Sequence, residues 1–100
     1  MRWPWKWRRI EPLNDLRVTL FTRQGCHLCE TAWSRLRAEQ QRYGFLVEVI
    51  DVDTNAELKR LHGDTVPVVA VNGKVRFRGD VNTVLLRRLL RAESRGKRRS

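Results

Sequence analysis

Residues 20–30 read LFTRQGCHLCE. An apolar, β-forming run ends at Thr22, Gln24-Gly25 breaks it, and a helical pattern follows. Cys26 and Cys29, the only cysteines in the chain, straddle that junction. Upstream, residues 16–23 (LRVTLFTR) alternate Leu16, Val18 and Leu20 with polar or β-forming neighbours, which predicts a strand. Downstream, Leu28, Cys29, Ala32, Trp33, Leu36 and Tyr43 follow helical spacing, and Gly44 stands where a helix C-terminal glycine belongs.

The rest of the chain extends this pattern. Residues 45–53, FLVEVIDVD, are nearly continuous in apolar character, which predicts a strand covered on both faces in a parallel pairing. Thr54 and Glu57 have capping-box spacing for a short helix ending at Gly63. Two strand-like runs, 67–71 and 74–78, flank Asn72-Gly73, a dipeptide suited to a tight hairpin turn. Asp80 is placed to cap a last helix whose expected apolar face is Val81, Val84, Leu85 and Leu89. The order is β-α-β-α-β-β-α, with a right-handed first crossover and parallel first strands.

One hundred residues with 41% hydrophobic content suit one domain with one modest core. The net charge of +10 is concentrated at the ends. Residues 1–10 hold four basic residues and no acid, and residues 91–100 hold five against Glu93. The remaining 80 carry twelve basic and ten acidic residues. This divides the chain into a basic, Trp-rich arm (1–13, with Trp3, Trp5 and Trp7), a domain (14–91) and a basic, disordered tail (92–100). Tryptophan beside arginine suits base stacking or a membrane interface, so the arms are candidates for binding nucleic acid or another polyanion. No stretch approaches the roughly 20 apolar residues of a membrane span. The start has no apolar run typical of a secretory signal, so a cytoplasmic location is expected.

Three chemistries compete for Cys26-His27-Leu28-Cys29. Structural zinc needs about four ligands, and two cysteines with His27 and a distant His62 fall short, so no metal site is expected within one chain. A structural disulfide closing so short a loop constrains the unfolded chain little and suits an oxidising compartment rather than the cytosol. Redox chemistry remains. At the first turn of a helix, Cys26 faces unpaired N–H groups and the positive end of the helix dipole, both of which favour thiolate. Arg23 adds nearby positive charge. Cys29, one turn further in, is placed to attack a mixed disulfide on Cys26.

Taken together, these residues resemble the glutaredoxin family, closest to small bacterial glutaredoxin-like proteins of the thioredoxin-like fold. The match spans about residues 16–91. It rests on Thr22-Arg23 before Cys26-x-x-Cys29, on Thr65-Val66-Pro67 opening the third strand, and on Gly79-Asp80 before the last helix. The resemblance implies a mixed four-stranded sheet of order 2-1-3-4 with helices on both faces. It implies a cis Val66–Pro67 bond beside the cysteines, with the Val66 backbone turned toward a peptide-like thiol substrate. It implies that Arg23 and Asp80, with Gly79, bind the carboxylate and amino groups of glutathione. The family's common Pro-Tyr between the cysteines is His27-Leu28 here, and its Gly-Gly-x-x-Asp is shortened to Arg78-Gly79-Asp80. The activity implied is thiol–disulfide exchange on protein or glutathione mixed disulfides, with no bound cofactor and with glutathione as a candidate cosubstrate. The reductant is glutathione or thioredoxin reductase, the partners are disulfide-containing client proteins, and the chain is expected to be a monomer. Some relatives carry an iron–sulfur cluster across a dimer, which is the remaining alternative.

Overall fold

The computed structural model describes Leu13 and residues 15–99, with side chains as far as residue 95. The Trp-rich arm therefore lies outside the described residues, apart from Leu13. Four strands form one sheet: β1 (Arg17–Thr22), β2 (Leu46–Asp51), β3 (Val68–Val71) and β4 (Lys74–Arg78). Three helices connect or follow them: α1 (His27–Tyr43), α2 (Ala56–His62) and α3 (Thr83–Arg99). The sheet order is β2-β1-β3-β4. β1 runs parallel to β2 and antiparallel to β3, and β3 pairs antiparallel with β4. This is the mixed, thioredoxin-like sheet that the motif order implied.

Alternation along the strands sends their side chains to two layers. Val18 and Leu20 of β1, with Val69 and Val71 of β3, join Ala32 and Leu36 of α1 and Leu86 and Leu90 of α3 in one buried cluster. Phe21, pointing to the opposite face, stacks on His62 at the end of α2, with ring centroids 4.6 Å apart. Burying a Leu or Val contributes roughly 1.5–3 kcal/mol, so the first cluster dominates the fold's stability.

Local signals place the junctions. Gly44 takes a φ of 77° at the end of α1, and its N–H donates to the Gln40 carbonyl. Asn72 (φ 50°) and Gly73 (φ 85°) make the turn that sets Val71 opposite Lys74.

Several expectations are corrected. Leu13, assigned to the arm, is 2% exposed, and its N–H donates to the Tyr43 carbonyl at 2.8 Å, so this residue belongs to the core. β2 is covered by a strand on one side only; as an edge strand it leaves Leu46 and Val49 about half exposed. Leu28 is likewise exposed, on the outer side of α1. Asn55, not Thr54, caps α2 by accepting from the Leu58 N–H. Asn82, not Asp80, caps α3 by accepting from the Leu85 N–H. The buried side of α3 differs in part from the expected one. Val84 (63% exposed) and Leu85 (48%) face outward and Leu86 and Leu90 are fully buried instead, while Val81, buried ahead of the helix, and Leu89, packed partly buried against the core, lie inward as expected. α3 also continues past the boundary expected at 91, so residues 92–99 are helical rather than a disordered tail.

The two adjacent leucines separate the competing helix faces. Leu86→Ala should lose about 2–5 kcal/mol in urea denaturation, whereas Leu85→Ala should lose well under that, roughly 1 kcal/mol or less. Equal losses would mean that α3 is rotated from the position described.

Candidate active site

β1 delivers the chain to the site at Thr22. The turn that follows needs the positive φ of Gly25 (76°), and the Cys26 N–H closes it on the Arg23 carbonyl at 3.3 Å. Cys26 then occupies the N-cap of α1. Its Sγ accepts from the Cys29 N–H at 3.2 Å, and its carbonyl accepts from the Glu30 N–H at 3.3 Å. A capping position is usually filled by a side-chain oxygen; here sulfur takes it. Cys26 is half-buried and Cys29 is 4% exposed. The two are joined in a disulfide with their Cα atoms 5.2 Å apart. Cys26 is thus the more exposed member of the pair, and Cys29 lies a helical turn further in.

A cavity of about 420 Å³ flanks this disulfide, walled by Leu20, Val49, Trp33 and the two cysteines. Arg23 also lines it, but its guanidinium is already engaged. Nε and Nη2 donate to the two carboxylate oxygens of Asp53 at 3.2 and 3.1 Å, and Nη1 donates to the Gly63 carbonyl at 3.2 Å. Arg23 thereby ties the turn before Cys26 to the segments on both sides of α2.

The remaining expected residues gather in a second group. The Val66–Pro67 bond is cis, and Pro67 is fully buried. The Gly79 N–H lies within hydrogen-bond reach of both the Thr65 carbonyl (3.1 Å) and the Pro67 carbonyl (2.8 Å). Asp80 accepts from Arg35 Nη1 of α1 at 3.1 Å, and the same nitrogen donates to the Val81 carbonyl. Val66, Pro67, Gly79 and Asp80 are therefore held together, yet none of them lines the cavity beside the disulfide. His27 projects into solvent beside Glu30. Among the described residues, no group of three or more His, Cys, Asp or Glu side chains converges as a metal site.

The family model for the glutaredoxin-like domain (DUF836) matches residues 17–91. The chain belongs to the glutaredoxin-like domain family. A Nitrosomonas europaea protein solved by NMR is 32% identical, with a TM-score of 0.65 over 74% of this chain and 89% of that one. An X. campestris protein solved by X-ray crystallography is 31% identical, with a TM-score of 0.62 over 75% of this chain and 96% of that one. A mutant thioredoxin from Halobacterium salinarum shares the fold at 19% identity, with a TM-score of 0.64 over 85% and 89%. No curated protein matches the chain. The thioredoxin-like fold and the Cys26–Cys29 disulfide support a thiol–disulfide oxidoreductase-like role for this glutaredoxin-like domain.

Sequence reasoning missed Asp53, Arg35, Val49 and the cavity-lining role of Trp33. Asp53 had no local signal: only the parallel register, which sets Thr22 opposite Asp51, brings the residues just beyond the two strands close enough for Arg23 to reach it. Arg35 had none, because its partner is 45 residues away.

Gly79 carries a φ of 82°, a left-handed conformation that costs an L-residue roughly 1–2 kcal/mol, while a Cβ there would meet no atom within 4 Å. Gly79→Ala should therefore lower stability by about that amount through backbone strain alone. Thermal unfolding of the variant unchanged from the parent protein would remove this tether from the account of the site.

Proposed function

We propose that this glutaredoxin-like domain is a dithiol–disulfide oxidoreductase that reduces protein or glutathione mixed disulfides. The observation that carries the reading is the depth difference at the head of α1: a half-buried Cys26 at the capping position above a buried Cys29. In the reduced protein the Cys29 N–H and the helix dipole favour the Cys26 thiolate, which is the nucleophilic form. That thiolate attacks one sulfur of a substrate disulfide. A Cys26–substrate disulfide forms, the substrate's own S–S bond breaks, and the departing thiolate takes a proton from solvent. Cys29 then loses its proton and attacks the Cys26 sulfur, releasing the second substrate thiol and closing the Cys26–Cys29 bond. Two electrons from glutathione or a thioredoxin reductase reopen that bond. Net reduction of clients suits a reducing compartment such as the cytoplasm. Among the described residues, no helix is long and apolar enough to cross a membrane.

The test is a disulfide-reduction assay coupled to either reductant. Cys26→Ser should reduce turnover to background, and Cys29→Ser should accumulate a client-linked mixed disulfide visible by mass spectrometry. Full turnover by Cys26→Ser would overturn the assignment.

A second reading, polyanion capture, has its own support. Lys74, Arg76 and Arg78 of β4 and Arg88, Arg91 and Arg95 of α3 are exposed. Phosphate contacts by such a surface release counterions. If it binds single-stranded DNA, affinity should fall by at least about ten-fold between 50 and 200 mM salt, with disulfide reduction unaffected. Salt-independent binding would argue against it.

A further inference from the structure

The cavity beside the disulfide lies on the β2 side of β1, because Val49 of β2 and Leu20 of β1 wall it. Val66 and Pro67 precede β3, on the other side of β1. A client reaching Cys26 therefore meets two flanks, and the implied peptide-binding segment accounts for only one. The second flank has an apolar wall of Leu20, Val49, Trp33 and the cysteines themselves, with Thr22, Gln24, Arg23 and Glu30 completing its lining. Trp33 is held by the Arg37 guanidinium, 5.6 Å from the ring centroid.

We propose that this cavity is a subsite for an apolar side chain adjacent to the client's cysteine. It makes Cys26 take up the half of a mixed disulfide that carries such a chain, in preference to the glutathionyl half. This rests on the oxidoreductase reading above and names the substrate class for the same disulfide. Size and charge both favour it. About 420 Å³ lies at the small end of ligand sites, enough for an aliphatic or aromatic side chain with a little backbone. The charged groups on its lining are Arg23 and Glu30. Asp53 already matches the charge of Arg23, and the Gly63 carbonyl takes a third donor. Glutathione brings two carboxylates, and a carboxylate entering this cavity would lose water without a free cation to receive it, unless it displaced Asp53. An aliphatic chain meets no such penalty. Asp53 is therefore a specificity-determining residue that withholds Arg23 from anionic substrates.

The step is an exchange. The Cys26 thiolate attacks the peptide sulfur of a glutathione–peptide disulfide, the Cys26–peptide S–S bond forms, and glutathione leaves as thiolate and is protonated by solvent. A reduced Cys29→Ser variant stops there, so intact-protein mass spectrometry reads which half was retained. The probes are two mixed disulfides of glutathione with a one-cysteine heptapeptide, carrying Leu or Ser beside the cysteine. The peptidyl-to-glutathionyl adduct ratio should be at least about ten-fold higher for the Leu peptide, the scale of discrimination an apolar pocket supplies. Adding Val49→Glu should bring the Leu ratio down to the Ser value. Val49→Thr, of similar size and also β-branched, should give an intermediate ratio and guards against misfolding of the Glu variant. Adding Asp53→Asn should raise the glutathionyl share. Equal ratios for the two peptides, or a preference untouched by either Val49 variant, would overturn the subsite while leaving the oxidoreductase reading intact. A glutathionyl adduct dominating with both peptides would do the same. No adduct of either kind would overturn the oxidoreductase reading itself, and the subsite with it.

Discussion

The hydrogen bond from the Cys29 N–H to the Cys26 sulfur sits where three constraints meet. It exists because β1 ends beside the start of α1 with only a short turn between them. That turn is short because α1 must cross over the sheet and return the chain to β2, parallel to β1. In parallel strands both C-terminal ends lie at one edge, and a helix following the first begins at that edge. The reactive sulfur thus inherits its position from the crossover, and its partner follows from helical pitch. A thiol three residues later lies one turn deeper, against the core face that Ala32 and Leu36 continue.

That core face was legible in α1 because its apolar residues offer one clear register. In α3 they offer two. Leu85-Leu86 and Leu89-Leu90 are adjacent pairs, so a stripe through Val84 and Leu85 looks as good on paper as the one through Leu86, Leu89 and Leu90 that the core covers. Periodicity cannot choose between them. The choice falls to tertiary packing against the sheet and α1. Arg35 of α1 engages Asp80, and the helix begins only at Thr83, with Asn82 as its first acceptor. The exposed face of β2 was hidden for a related reason. A continuous apolar run reads as buried on both sides, but Val47 and Val49 face α1 at the margin of the sheet, where coverage is incomplete. The hairpin, by contrast, is encoded locally by Asn72-Gly73 and needed no partner to be read.

Charge shows the same division between local and tertiary signals. The chain carries +10, yet the two arginines that brace the site are matched: Arg23 by Asp53 and Arg35 by Asp80. Exposed ion pairs of this kind contribute little stability, of order 0–1 kcal/mol. Their weight is geometric. A bidentate guanidinium–carboxylate pair fixes orientation, and Arg23 adds a third bond to a backbone carbonyl.

These two arginines divide the work of holding the site. Arg23 joins the turn before Cys26 to Asp53 and Gly63, which lie on either side of α2. Arg35, two turns beyond Cys29 on the same helix, holds Asp80 and the Val81 carbonyl, while the neighbouring Gly79 N–H meets the carbonyls of Thr65 and Pro67. Every segment that the motif order singled out is therefore referred, directly or through one intermediate bond, to α1 and the turn that starts it. The loop from residue 63 to 67 is gripped at both ends, by Arg23 at Gly63 and by Gly79 at Thr65 and Pro67. Loops ordinarily carry function because they are free to vary. Here the loop from 63 to 67 is fixed through its backbone acceptors, which constrain position without constraining side-chain identity. That leaves His27 and Leu28, both exposed between the cysteines, and the β2-side cavity as the parts of the site whose chemistry can differ while its frame is kept.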